Sequence, residues 1–249
     1  MPRKSTPKKK LNNNLPPDVA EIVAALETFL DRTDEVGRKP CNAKCGVYAF
    51  YDYDDEPIYV GQTKEQLRVR IRRHMTNQRT DAVAMRVLDP LEVGEVAVWL
   101  FWEFDALSLK IIDNKRLVDS TLNAAEFTLF RQVIAESSIG RVLNEKIPAE
   151  TELVELPQGY RGSIVPDELR QRLGHPDERI ARRSLKIAEL AGIIRQRDVS
   201  VGLRNTLVTQ AERMLLLSRQ RYTEITSSKT PSELRQETVG AEDESEAED

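Results

Sequence analysis

Apolar positions recur at helical spacing near the start of the chain: Val19, Ile22, Val23, Leu26, Phe29 and Leu30 share a face, and Asp18 with Glu21 resembles a capping box. The period changes at Cys45, where "GVYAFYDY", an acidic turn at Asp54-Asp55-Glu56-Pro57 and "IYVGQT" read as an antiparallel hairpin. In the following "TKEQLRVRIRRHMTNQRT", Leu67, Ile71 and Met75 fall one helical turn apart and form a narrow buried stripe. "EVAVWLFWEF" is apolar on both faces, which predicts a central third strand. A second long helix is predicted from about Lys115 to Glu136, burying Leu122, Ala125, Leu129 and Val133.

"ELPQGYRGSIVP" loses all periodicity and reads as a linker. Beyond it, Pro166 and Pro176 suit first-turn positions of helices. Ile180, Ile187, Leu190 and Ile194 mark one expected buried face, and Leu203, Leu207, Ala211, Met214 and Leu215 another. The fold class expected is α+β: a small central three-stranded antiparallel sheet flanked by helices, with a carboxy-terminal helical region. The chain is expected to divide into a basic disordered arm (1–16), an amino-terminal helix and lead-in (17–44), a main domain (45–150), a linker (151–164), a helical accessory region (165–227) and an acidic disordered tail (228–249).

With 249 residues, 40% hydrophobic and 31% charged, the chain can bury one good-sized core and carry an appendage. No apolar run reaches the length of a membrane span, and the basic start lacks the apolar stretch of a secretory signal. A cytoplasmic protein with no membrane partner is expected. Cys41 and Cys45 are the only cysteines, and His74 and His175 the only histidines, so a disulfide framework is excluded and reduced thiols are expected in preference to a zinc site. The net charge of -4 argues against a nucleic-acid partner only as an average, because "PRKSTPKKK" and "AEDESEAED" concentrate opposite signs at the two ends.

The middle of the chain offers two tyrosines on the hairpin, Tyr48 and Tyr59, then a basic helix, a glutamate on a second helix, Glu126, and Asn144. At 100° per residue, Arg70 and His74 share one flank of the Leu67/Ile71/Met75 stripe, and Arg68 and Arg72 the other. Lys64, Arg68, Arg70, Arg72, Arg73 and Arg79 stand against a single Glu65. That composition suits phosphate contacts and equally suits a charged, solvated face.

Gly46-Val47-Tyr48, ten residues, Tyr59-Val60-Gly61-Gln62-Thr63, then Arg70-Ile71-Arg72-Arg73-His74, Glu126 and Asn144 together resemble the GIY-YIG endonuclease superfamily over residues 45 to about 150. Valine replaces isoleucine in both tripeptides. The arginine-x-x-x-histidine spacing resembles the restriction-enzyme branch, in which histidine stands where other members have tyrosine. The resemblance implies a metal-dependent endonuclease acting on DNA, in a restriction or mobile-element system. A structure-specific repair or recombination nuclease, and a nucleic-acid-binding module without turnover, remain open alternatives.

Its implied catalytic residues are Tyr48, Tyr59, Arg70, His74, Glu126 and Asn144. Glu126 would hold one Mg²⁺ or Mn²⁺, Arg70 would grip the scissile phosphate, and Tyr48 would deprotonate the attacking water with His74 taking the phenol proton. Tyr59 and Asn144 would orient and support. Lys64, Arg68, Arg72, Arg73 and Arg79 would supply DNA contacts. Residues 165 to 226 carry twelve Lys or Arg against eight Asp or Glu, so the accessory helices are expected to serve DNA affinity or a homodimer instead of folding the core.

Overall fold

The structure, a computed structural model, describes residues 17–76 and 87–228. Strands β1 (Gly46–Tyr51) and β2 (Pro57–Thr63) form the expected antiparallel hairpin. Its turn is organised by Asp52, whose Oδ1 accepts from the N–H groups of Asp54 at 2.9 Å and Glu56 at 3.2 Å. Helix α2 (Leu67–Thr76) follows, and β3 (Glu95–Leu100) pairs with the other edge of β1. The third strand stops earlier than its apolar run, because Trp102–Phe104 turn into a short 3-10 helix that buries Phe104.

The sheet has four strands, not the three expected, in the order β2-β1-β3-β4. The fourth, β4 (Gly159–Ser163), lies inside the segment whose composition reads as a linker. Two glycines and no apolar alternation conceal it. Tertiary contacts hold it instead: Arg161 stacks its guanidinium 3.9 Å from the Tyr51 ring centroid and donates to Glu95 at 2.7 Å.

Helices cover both faces of the sheet. On one side α3 (Ile112–Glu136) packs Val118, Leu122, Ala125, Leu129 and Val133 against Val47, Ala49 and Val60. On the other, Tyr48, Phe50, Val96 and Val98 share a core with Leu26 and Leu30 of α1 (Pro17–Leu30) and with Leu67 and Ile71 of α2. The same core takes in Leu169 and Leu173 of α4 (Asp167–Leu173), Leu190 and Ile193 of α5 (Pro176–Gln196), and Leu203 of α6 (Val201–Ser228). The carboxy-terminal helices are therefore built into the main core.

An ionic cluster fastens them there. The Asp52 Oδ2 meets Arg179 at 2.9 Å, Arg183 at 3.0 Å and Arg213 at 2.5 Å, all four side chains being almost fully buried. Glu92 is bridged by Arg182 at 2.6 Å and Arg183 at 3.0 Å. The buried stripe of α5 thus runs through Arg179, Arg183, Leu190 and Ile193, while α6 buries Leu203, Thr206, Gln210, Arg213 and Leu217. Leu215, a member of the expected apolar face, is 48% exposed. His175 caps the start of α5, its Nδ1 accepting from the Asp177 N–H at 3.3 Å. Among the described residues no helix is long and apolar enough to cross a membrane.

Candidate functional site

The β1–β2 register sets Tyr48 opposite Gly61 and Phe50 opposite Tyr59, so both tyrosines project from the same face. Glycine at 61 is a steric requirement. A Cβ there would lie 2.5 Å from the Tyr48 hydroxyl and 2.6 Å from Cζ, so the phenol occupies the space a side chain would fill. Helix α2 starts four residues after β2 and buries Leu67, Ile71 and Met75, which turns Arg70 and His74 toward this phenol. The Tyr48 hydroxyl is 2.8 Å from His74 Nε2 and accepts from Arg70 Nε at 3.1 Å. The Tyr59 ring lies 5.4 Å from the His74 ring.

Burial governs the electrostatics of this cluster. It raises the Tyr48 and Tyr59 phenols above their ordinary range, and the nearby Arg70 charge only partly offsets that. Burial, reinforced by the charges of Arg70 and Arg73, lowers His74 to about 4. The imidazole is therefore neutral near pH 7. With neutral His74 in the Nδ1–H tautomer, the Tyr48 hydroxyl donates to His74 Nε2 while its oxygen accepts the Arg70 N–H.

Strand alternation sends Gln62 to the opposite face from Tyr59 and Gly61, toward α3. Its Nε2 donates to Asn123 Oδ1 at 2.7 Å and to Glu126 Oε2 at 2.9 Å. Burial raises the Glu126 carboxyl above the usual range, with the Gln62 hydrogen bond and then the Lys146 charge working against the shift. Asn144, also buried, clamps the edge of β2: its Oδ1 accepts from the Val60 N–H at 3.0 Å and its Nδ2 donates to the Val60 carbonyl at 2.8 Å. Both ends of that amide are engaged, so Asn144 holds the strand that carries Tyr59 and Gly61.

One cleft of about 490 Å³ is lined by Tyr59, Arg70 and His74 from one side and by Gln62, Glu126 and Asn144 from the other. The structure brings together all six candidate residues, with one difference in placement. Tyr48 is fully buried and meets the cleft through Arg70 and His74, which both touch it. Gln62 and Asn123 escaped the sequence reading. Their only sequence signals are the alternation that puts Gln62 opposite Tyr59 and the i, i+3 spacing of Asn123 with Glu126.

The other basic residues of this region face carboxylates. Lys64 pairs with Asp119 at 2.6 Å, Arg68 with Asp31 at 3.0 Å, Arg72 with Glu27 at 2.5 Å and Arg73 with Glu65 at 2.7 Å. Of the candidate DNA contacts, Arg79 lies outside the described residues. Cys41 and Cys45 are buried free thiols in different apolar clusters, and burial pushes the Cys41 thiol up to about 12. Among the described residues no group of three or more His, Cys, Asp or Glu side chains could hold a metal ion.

Two phenols, a guanidinium and a neutral imidazole thus stand close to one half-buried carboxylate at the edge of a small antiparallel sheet. Residues 44–113 match the family model of the GIY-YIG catalytic domain, which relates this stretch to the GIY-YIG endonuclease superfamily, whose members are endonucleases. The match spans the hairpin, α2 and β3; Glu126 and Asn144 lie beyond it. Neither a curated protein nor a solved structure matches the chain.

Proposed function

We propose that the protein is a metal-dependent endonuclease that hydrolyses phosphodiester bonds in DNA, of the branch with the arginine-x-x-x-histidine pattern, in a restriction or mobile-element setting. The observation that carries this reading is the hydrogen-bonded Arg70–Tyr48–His74 cluster, whose Arg70 and His74 line the same cleft as Glu126.

Glu126 suits a hard divalent cation. Its carboxylate is anchored by Gln62 through Oε2, and an ion of the Mg²⁺ or Mn²⁺ type accepts one protein carboxylate with the remaining positions filled by water and phosphate oxygen. Such an ion supplies positive charge to the phosphoryl oxygens and acidifies water.

This chain's own residues do the rest. Arg70 presents the remaining N–H groups of its fork to a non-bridging phosphate oxygen while its Nε holds the Tyr48 oxygen. The attacking water loses its proton to the Tyr48 oxygen as the phenol proton passes to His74 Nε2. Alone, a buried phenol is a poor base, and the coupling to a neutral imidazole lowers the barrier to that transfer. Substrate anion beside Arg70 offsets one of the charges that depress His74, making the imidazole a better acceptor once DNA is seated. Tyr48 has no solvent access here, so seating the strand must also open a path to its oxygen. Tyr59 orients the water or phosphate from the cleft wall, and Asn144 keeps β2 in register.

Supercoiled plasmid incubated with Mg²⁺ or Mn²⁺ tests the reading. Nicking or linearisation by wild type is expected, with Glu126→Ala and Arg70→Ala each slower by on the order of a hundredfold or more. Sequencing the ends separates sequence-specific from structure-specific cleavage. Absence of cleavage with either metal, or full activity of Glu126→Ala in Mn²⁺, would overturn it.

A further inference from the structure

The cleft contains a cation that neither the superfamily motifs nor the basic run on α2 includes. Lys146 lines it on the segment that follows Asn144, whereas Arg70 comes from α2. Lys64, Arg68, Arg72 and Arg73 are each tied to a carboxylate. No carboxylate among the described residues lies within ion-pairing distance of Lys146, although its charge is felt at Glu126. Its side chain is exposed at the cleft, so the ammonium can meet a ligand seated beside Glu126.

The backbone that presents it is fixed from two sides. The Asn144 amide is locked to Val60, and the Leu143 N–H donates to the Ile58 carbonyl at 2.7 Å. From the other side, the first turn of α6 presses on the same segment. Ser200 Oγ donates to Glu145 Oε1 at 2.8 Å, and a Cβ at Gly202 would lie 1.8 Å from the Glu145 carbonyl oxygen. Only glycine at 202 lets the helix come this close. Leu203, almost fully buried, anchors that turn in the core. Lys146 therefore follows directly on a backbone anchored at Leu143, Asn144 and Glu145.

We propose that Lys146 is a further substrate-contacting residue of the cleft, its ammonium taking a phosphate of the bound strand next to the one gripped by Arg70. The inference rests on the nuclease reading and deepens it: it assigns a second phosphate subsite and gives the carboxy-terminal helix α6 the task of seating it. An ammonium suits that subsite, because a neighbouring phosphate needs charge compensation without the planar two-point grip required at the scissile group.

Binding of the full-length protein to a labelled DNA duplex, measured by fluorescence anisotropy over a salt series in EDTA, tests this apart from turnover. Lys146→Met keeps the apolar stem and removes the charge; Lys146→Arg restores it. Lys146→Met should weaken binding by roughly three- to tenfold and reduce the magnitude of the log–log salt slope by about 0.9, the increment of one phosphate contact, with Lys146→Arg returning both toward wild type. Arg70→Met serves as the reference, and unchanged thermal midpoints establish that every variant is folded. If Arg70→Met weakens binding and Lys146→Met does not, the inference fails while the cleft reading stands. If neither changes binding, or wild type does not bind, the cleft reading fails and takes this inference with it. Loss in Lys146→Met alone would put the DNA on the rim outside the cleft, and would also overturn the proposal.

Discussion

Removing the proton-accepting ability of His74 is the most informative perturbation, and the structure gives its size. With His74 lowered to about 4, about one molecule in a thousand carries the imidazolium at pH 7, against about one in four for an unperturbed histidine. Such a histidine can accept the Tyr48 proton throughout the neutral range. The rate of a single turnover should therefore show no inflection near 6.5, the position expected of a solvent-exposed imidazole.

The same shift has a consequence for stability, and its sign is opposite to that of a histidine with a favourable charge partner. The folded protein resists protonation at His74 while the unfolded chain accepts the proton at about 6.5, so the unfolded state binds more protons between those values. The contribution is fully present above pH 6.5 and is lost as pH falls toward 4. Between pH 7.5 and 4.5 the wild type should lose about 2 to 3 kcal/mol more than His74→Gln, which has no such titration. Urea unfolding at the two pH values measures the difference. The chain has only two histidines, so His175→Gln leaves a single imidazole whose titration can be followed directly by NMR. A midpoint near 6.5, or a wild-type loss equal to that of His74→Gln, would refute the reasoning that burial and the Arg70 and Arg73 charges hold His74 neutral well below pH 6.5.

Other perturbations probe the scaffold and the metal side of the site. Asp52→Ala should cost about 3 to 5 kcal/mol, because the buried Arg213 loses its carboxylate partner while Arg179 keeps Asp54 and Arg183 keeps Glu92, and should lower the calorimetric midpoint by roughly 10 °C; a loss under about 1 kcal/mol would mean that water compensates the network. Ending the chain at Gly162 should abolish the cooperative thermal transition, since Leu169, Leu173, Leu190, Ile193 and Leu203 complete the core; a sharp transition in the shortened chain would refute their structural role. Gln62→Leu should weaken Mn²⁺ binding by about ten- to a hundredfold in calorimetry without DNA, and an unchanged affinity would show that Gln62 does not orient Glu126.

The parts of this fold legible in the sequence are those in which one period governs one element. α1, the hairpin, α2 and α3 all have clean stripes, and their buried positions match the pattern. The carboxy-terminal helices do not, because their buried faces run through Arg179, Arg183, Gln210 and Arg213, residue types that a polarity pattern assigns to solvent. Their acidic partners, Asp52 and Glu92, are more than eighty residues away in sequence, and no local signal announces the pairing. Strand β4 stayed hidden for a similar reason, being held by Arg161 and the edge of β3. In the site, the ordered tyrosines, Arg70, His74, Glu126 and Asn144 could be picked out as a set, but the destinations of the α2 arginines depended on Glu27 and Asp31 of α1. A basic run looks the same whether its charges meet phosphate or carboxylate.

The position of β2 explains why groups from opposite faces of a sheet can serve one cleft. As an edge strand it lets Tyr59 and Gly61 reach the cleft from one face while Gln62 and Glu126 reach it from the other. A bare edge would also invite pairing with any passing strand. Asn144 prevents this by imitating a peptide group, accepting from the Val60 N–H and donating to its carbonyl, while the Leu143 N–H satisfies Ile58. The edge is thus closed to β-pairing at Ile58 and Val60, and Tyr59, Gly61 and Gln62 still line the cleft. Closing that edge requires the 143–146 segment to be held from outside, by the first turn of α6. The carboxy-terminal helix contributes to the cleft through this contact, by fixing the chain that carries Asn144 and Lys146.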